Sequence, residues 1–268
     1  TPTQVPPTPT PTPIRNLTSS EAHCSDEGTH IYCLSSELPT PPQNPWVTSR
    51  HASNEAWSTI TGYSPEVFCA SDLSVELCSL QTSALLAGMI EWGNYSPLEY
   101  WVIGTEISAM NDIIELNCDR RLKRGEWKSC NETQAKEQAE RFERMRSKGA
   151  EAFATGKGGG TQGHNGFRNW GIHFYSSSIP TGFTSGFDGP GAESQKTTFH
   201  EYFHAVQSAH LLTTDHQKRY RDVNYAGPTW FFEGGAEYMA MIGLASSFES
   251  GQLEQVVMKG QKSWDPLN

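Results

Sequence analysis

The sequence has no apolar run of the length that a membrane-spanning helix requires. Such a helix needs about 20 consecutive apolar residues, and charged or strongly polar residues interrupt every apolar stretch of this chain long before that length. The mean hydropathy of −0.55 agrees with this. We therefore predict that no part of the chain spans a membrane.

Positive charge is also scarce. Lys and Arg total 20 against 30 for Asp and Glu, which gives a formal net charge of −10 at pH 7. Nucleic acids and anionic membrane surfaces attract basic proteins. We therefore expect neither of them as a main partner, and the sequence carries no signal for an oligomeric state.

The N-terminal residues lack the side chains from which a core could be built. Residues 1–13 read TPTQVPPTPTPTP, and such a Thr/Pro-rich segment is extended because it has little apolar surface to bury. We predict a disordered spacer over residues 1–18, of the kind that separates an anchor from a folded domain in exported proteins; a plain disordered tail is the alternative. The chain starts without Met and without a secretory signal peptide, so we expect a processed product.

The chain has six cysteines but no C-x-x-C pair. This spacing disfavours a zinc ribbon, whereas an even count in local pairs favours disulfides and an oxidising compartment. Six cysteines allow 15 connectivities, and we predict the local one because short loops close easily. The predicted pairs are Cys24–Cys33, Cys69–Cys78 and Cys118–Cys130. We therefore expect a secreted or cell-surface protein. Glycosylation sequons, which would make it a glycoprotein in a host that glycosylates, stand at Asn16, Asn94 and Asn131.

The strongest functional signal is the sequence HEYFH at residues 200–204. Residues four apart lie on one face of a helix, so His200 and His204 could bind one metal ion from a single turn. Glu201 would then lie near a water molecule on that ion. Zinc makes such a water acidic, and a neighbouring carboxylate can take its proton.

A catalytic zinc needs a third protein ligand, and the segment WFFEGGAEY at residues 230–238 offers one. Glu233 and Glu237 are again four residues apart on a predicted helix. Small residues between them would let this helix approach the first one closely. The pattern is H-E-x-x-H followed some tens of residues later by W-x-x-E-G-x-A-E-Y.

This pair of motifs resembles the gluzincin metallopeptidases of the peptidase MA-like superfamily, which include the thermolysin-like and aminopeptidase N-like enzymes. The likeness covers roughly residues 100–244. It implies that His200, His204 and Glu233 bind zinc (Zn2+) and that Glu201 is the catalytic general base. It also implies that Glu237, a Glu where the thermolysin-like enzymes have an Asp, orients a zinc-bound histidine.

The resemblance implies a zinc-dependent hydrolase that cleaves a peptide or protein substrate outside the cell. The chain has no strand of the G-x-M-E-N type found in the aminopeptidases, so an endopeptidase is favoured over an aminopeptidase. The families also have a longer helical part than residues 234–268 provide, which fits either a minimal enzyme or a truncated chain. The polar segment 210–228 does not single out an oxyanion-stabilising residue.

Two other functions fit the same residues. One is an extracellular structural or adhesive surface protein that reuses a peptidase-like fold with a weak or silent metal site. Such a protein would normally have lost Glu201 or a ligand, and none is lost here. The other is a module with a structural zinc, which would require a fourth protein ligand.

For the fold we predict an α+β architecture with a zincin-like catalytic domain, in which a small mixed sheet packs on helices that include the HExxH helix. The domain is expected over residues 81–268, after an irregular disulfide-tied N-terminal region over residues 19–80. Periodicity predicts helices over 82–92, 107–122 and 134–153, and strands over 98–104 and 169–177. We expect glycine-rich residues 158–163 to form a loop. By analogy with gluzincins, the strand around Ile172–Ser176 should lie at the sheet edge, face the metal and pair with substrate.

Overall fold

The computed structural model describes residues 22–35, 64–94, 98–156, 162–166, 172–183, 192–209 and 227–246. The predicted spacer over residues 1–18 lies outside these ranges. Within them the chain forms six strands and five helices. The strands are β1 (Ala22–Asp26), β2 (His30–Ser35), β3 (Glu66–Ala70), β4 (Leu98–Ile103), β5 (Gln162–Gly166) and β6 (Ile172–Ser177). The helices are α1 (Val75–Trp92), α2 (Ile107–Lys123), α3 (Thr133–Thr155), α4 (Ala192–Ala209) and α5 (Thr229–Ser246).

The strands form one mixed sheet in the order β1-β2-β3-β4-β6-β5. The central strands β3, β4 and β6 are parallel to one another, whereas β1, β2 and β5 join antiparallel. The predicted α+β class and mixed sheet are therefore confirmed. Among the described residues, no helix is long and apolar enough to cross a membrane.

Helices cover both faces of the sheet. The side chains of its buried strands alternate between the two faces, so each face carries apolar residues that a helix can cover. On β4, Tyr100 belongs to the core beneath α1 and α4, together with Phe174 of β6 and Tyr202 of α4. The next residue, Trp101, belongs to the core on the opposite face, beneath α2 and α3. The HExxH helix therefore packs on the sheet as predicted, and α5 packs against it.

The prediction of an irregular N-terminal region is wrong for the described residues. They form β1, β2 and β3, which belong to the same sheet as β4, and α1 runs across residue 80. The β1–β2 turn has a recognisable cause: Gly28 has φ 86°, and its N–H donates to Asp26 Oδ1 at 2.8 Å. The Pro/Ser/Thr-rich composition between β2 and β3 favours irregular structure, so the sequence does not reveal these strands of five and six residues.

The three predicted disulfides are present. They join Cys24 to Cys33, Cys69 to Cys78, and Cys118 to Cys130. The first crosses the β1–β2 hairpin, where Cys24 and Cys33 are directly paired. The second ties β3 to α1, and the third joins α2 to the turn before α3. Three disulfides fit a protein that resides in an oxidising compartment.

The predicted edge position of the strand around Ile172–Ser176 is wrong. Strand β6 is an inner strand, flanked by β4 and β5. The outer position belongs to β5, which pairs antiparallel with β6. Gln162 and Gly163, which we expected in a loop, are the first residues of that strand. Glycine-rich sequence has low strand propensity, so only the pairing with β6 reveals β5.

The packing of α5 against α4 depends on the small side chains of α5. A Cβ atom added to Gly243 would lie 2.6 Å from Cδ1 of Phe199, and Ala240 is fully buried against the same ring. This close approach brings the two helices that carry the metal-site motifs together.

We expect Gly243→Ala to lower the free energy of unfolding by about 1–3 kcal/mol, because the added methyl overpacks the α4–α5 contact. Gly234→Ala is the matched control, since its Cβ would meet nothing within 4 Å and alanine favours a helix by about 1 kcal/mol. Urea denaturation of both variants checks this. Equal stability of the two would show that the contact tolerates the methyl.

Candidate metal centre

The two motifs meet in space. Nε2 of His204 lies 3.2 Å from Nε2 of His200 and 3.2 Å from Oε2 of Glu233, and the third side of the triangle, His200 to Glu233, is 3.3 Å. Zinc bonds of 2.0–2.2 Å in a tetrahedral site place neighbouring ligand atoms about 3.3 Å apart. The triangle therefore has the size of one face of a zinc coordination tetrahedron.

The hydrogen bonds of His204 fix which ring nitrogen faces that triangle. The amide Nε2 of Gln207 donates to the carbonyl oxygen of Phe232 at 2.9 Å, so its Oε1 is free to accept. This Oε1 lies 2.8 Å from Nδ1 of His204, which must therefore carry the proton. In the neutral ring, Nε2 then presents a lone pair to the centre of the site.

His200 is held in the same way by a carboxylate. Its Nδ1 lies 3.2 Å from Oε2 of Glu237, and Lys196 forms an ion pair with the other oxygen of that carboxylate. Burial alone would raise the pKa of Glu237, but the hydrogen bonds with His200 and Lys196 outweigh it and lower the pKa to about 2. Glu237 is therefore an ionised acceptor, and Nε2 of His200 also faces the centre.

The electrostatics of the triangle favour a cation. Two imidazole lone pairs and a carboxylate oxygen repel one another at about 3.2 Å unless a positive charge lies between them. Burial lowers the pKa of His200, yet the hydrogen bond with Glu237 and the charges of Glu201, Glu237 and Glu233 raise it above its usual value overall. Two imidazoles and one carboxylate form a ligand set that suits zinc.

The cluster contains three side chains that could serve as metal ligands. Among the described residues, His200, His204 and Glu233 form the only group of metal-binding side chains on these helices whose ligand atoms lie within 4.8 Å of one another. A structural zinc would need a fourth such side chain. Glu201 is half-buried on α4 beside the first ligand, and its charge contributes to the raised pKa values of His200 and Tyr100.

Two tyrosines fix the position of α4. The hydroxyl of Tyr202 donates to the carbonyl oxygen of Gly93 at the end of α1, at 2.7 Å. One turn earlier on α4, the buried hydroxyl of Tyr100 lies 3.1 Å from Oγ1 of Thr198, two residues before the first histidine. Burial raises the pKa of Tyr100 to about 12, so this hydroxyl keeps its proton. The helix is therefore tied to α1 and to the sheet on either side of Glu201.

The structure brings together the histidines and glutamates that the motifs named, and it places two further groups around them. Gln207 is not part of either motif, although its i+3 spacing from His204 is a usable signal. Lys196 has no motif that singles it out, because its contact with Glu237 depends on how two helices pack. In the polar segment, the residues that could stabilise an oxyanion, His210, His216, Tyr220 and Tyr225, lie outside the described part of the chain.

Comparison with protein-family models, with curated proteins and with solved structures finds no match for this chain.

We expect Glu237→Ala to weaken zinc affinity by about 10–100-fold without abolishing binding, because the ring of His200 loses the acceptor that orients it. Glu137→Ala removes the same charge from an exposed position on α3 and serves as the control. Competition with a zinc-chelating dye gives both dissociation constants. Equal affinity in wild type and Glu237→Ala would mean that this carboxylate has no effect on the ligand.

Proposed function

We propose that this protein is a zinc-dependent peptidase of the gluzincin type that acts outside the cell, with endopeptidase activity favoured. The observation that carries the proposal is the triangle of His200, His204 and Glu233, whose sides are 3.2–3.3 Å, with Glu201 next to the first ligand. Both ligand histidines have their Nδ1 atoms occupied by acceptors, which directs both Nε2 atoms to the same point. A surface cluster of histidine and glutamate would not require this organisation.

Each residue of the proposed site has a separate role in peptide hydrolysis. Zinc, when bound by the triangle, would polarise the carbonyl of the scissile bond and acidify a water molecule. Glu201 takes the proton of the attacking water and returns it to the leaving amine, so that one carboxylate serves as base and then as acid. Glu237 and Gln207 keep the two imidazole rings in the orientation that binding requires.

The substrate-binding strand should be β5 rather than β6. The outer side of β5 pairs with no other described strand, and the Gln162 side chain reaches Ser194 and Thr198 of α4 at 3.4 Å. An extended peptide could add to this edge by main-chain hydrogen bonds, with little demand on its side chains. This position would hold a peptide beside the helix that carries Glu201.

The chemistry of the site separates this proposal from its alternatives. A structural zinc would require a fourth protein ligand in addition to the three side chains that the described residues bring together. An adhesive or structural surface protein with a silent site has no need of Glu201, nor of the acceptors that orient His200 and His204. The disulfides support the secreted or cell-surface location that a peptidase acting on external proteins requires.

The test is a zinc analysis combined with a cleavage assay on the same preparation. We expect one zinc ion per chain, cleavage of an unfolded protein at internal positions, and loss of cleavage after chelation with recovery on zinc addition. Mass spectrometry of the products separates internal cleavage from stepwise N-terminal removal. Stoichiometric zinc with no cleavage of any peptide library would favour the silent-site alternative.

A further inference from the structure

Two of the three disulfides contact each other. Sγ of Cys33 lies 3.4 Å from Sγ of Cys78, although each atom is bonded to a different cysteine. Three sulfurs, those of Cys24, Cys33 and Cys78, lie within 4.8 Å of one another. The contact arises because Cys24, Cys33 and Cys69 belong to the same core as Cys78, on the face of the sheet that α1 covers.

Access to these four sulfurs from solvent is unequal. Cys33, Cys69 and Cys78 are 0% exposed, whereas Cys24 is partly exposed on the outer strand β1. Of these four cysteines, Cys24 is therefore the one that a thiol from solvent can reach. The third disulfide offers an internal comparison, because neither Cys118 nor Cys130 belongs to this sulfur group.

We propose that these two disulfides form a thiol-exchange site for a low-molecular-weight thiol. The thiolate attacks Sγ of Cys24, a mixed disulfide forms there, and the Cys24–Cys33 bond breaks with its electron pair left on Cys33. The Cys33 thiolate then attacks Sγ of Cys78. A Cys33–Cys78 bond forms, the Cys69–Cys78 bond breaks, and Cys69 leaves as a thiolate that takes a proton from water. Two disulfide bonds are consumed and two are formed, so only the entering thiol is needed.

The exchange would alter how the sheet is tied together. Strand β1 loses its covalent link to β2, and α1 becomes linked to β2 instead of β3. Helix α1 packs against α4 and holds it through the Tyr202–Gly93 hydrogen bond. A thiol that reacts at the surface would thus change the covalent anchoring of the helix beside the metal centre. The exchange itself does not depend on whether the protein hydrolyses peptides.

The test treats the folded full chain with reduced glutathione, quenches with acid, and unfolds the protein in excess alkylating agent before peptide mapping. We expect glutathione on Cys24, a Cys33–Cys78 crosslink and the alkyl label on Cys69. The Cys118–Cys130 disulfide should give only a mixed disulfide on one of its cysteines and the alkyl label on the other. A label on Cys33 with Cys69–Cys78 intact would overturn the proposal. So would the absence of any Cys24 adduct under conditions that open Cys118–Cys130.

A variant tests the second step without any added thiol. In Cys24→Ser, the Cys33 sulfur has no partner on β1 and lies beside Cys78, so we expect nearly all of the alkyl label on Cys69 and a Cys33–Cys78 crosslink. In the control Cys118→Ser, the label should stay on Cys130. A thiol that remains at Cys33 in a folded Cys24→Ser protein would contradict the relay, and the wild-type experiment decides the matter if this variant fails to fold.

Discussion

Replacement of Glu201 by glutamine will leave zinc binding and the fold intact and will slow peptide hydrolysis by about 10²–10⁴-fold, the usual contribution of a positioned general base. Glutamine keeps the size of the side chain but cannot accept the proton of the attacking water. In the proposed centre the ligand atoms come from His200, His204 and Glu233, so we expect metal binding not to depend on this carboxylate.

The measurement is kcat/KM for an internally quenched peptide, with zinc content determined on the same samples. Glu137→Gln is the control, since it makes the same change at an exposed position on α3. We expect this variant to keep both zinc and activity. Equal cleavage by wild type and Glu201→Gln would remove Glu201 from the mechanism, whatever the zinc content.

Replacement of His204 by alanine will remove both zinc and activity. The buried ring supplies one corner of the ligand triangle, stacks on Phe232 at a centroid distance of 4.4 Å, and connects to α5 through Gln207. Two remaining ligands, one of them a half-exposed carboxylate, leave the ion with open positions that water must fill. We therefore expect less than stoichiometric zinc after dialysis and no cleavage above background.

Elemental analysis after gel filtration in zinc-free buffer decides this prediction. His23→Ala is the control, because His23 is exposed on β1 and belongs to no cluster of metal-binding side chains among the described residues. It should retain zinc at the wild-type level. Full zinc occupancy in His204→Ala would mean that the metal is bound elsewhere, and the proposed centre would then be wrong.

The parts of this molecule that could be predicted from sequence are those fixed by short-range spacing. His200 and His204 lie on one face of α4 because residues four apart always do in a helix. The disulfides close loops with sequence separations of 9, 9 and 12 residues. The helix over Gln134–Phe153 follows from its apolar periodicity and is found as α3, with bounds Thr133–Thr155.

The parts that sequence could not give depend on pairings between distant segments. Strand β5 has the sequence QGHNG and forms a strand because it pairs with β6. It therefore takes the edge position that we predict from the sequence for β6. The ion pair of Lys196 with Glu237 joins two helices whose relative rotation no periodicity specifies. The motifs suggested that Glu233 is a third ligand, but only the packing of α5 on α4 brings its carboxylate to the histidines.

Among the described residues the sheet is open, so its two outer strands, β1 and β5, bear on how readily copies of this chain could pair with one another. Exposed strand edges act as templates for aggregation when they are long, flat and apolar. Strand β1 has five residues, of which His23, Ser25 and Asp26 are exposed and polar, and its disulfide fixes it against β2. Strand β5 is equally short and contains two glycines, which disfavour extended pairing. Both edges are therefore poor templates for intermolecular β-sheet growth, and an edge of this kind can accept one short extended chain without recruiting a second copy of the protein.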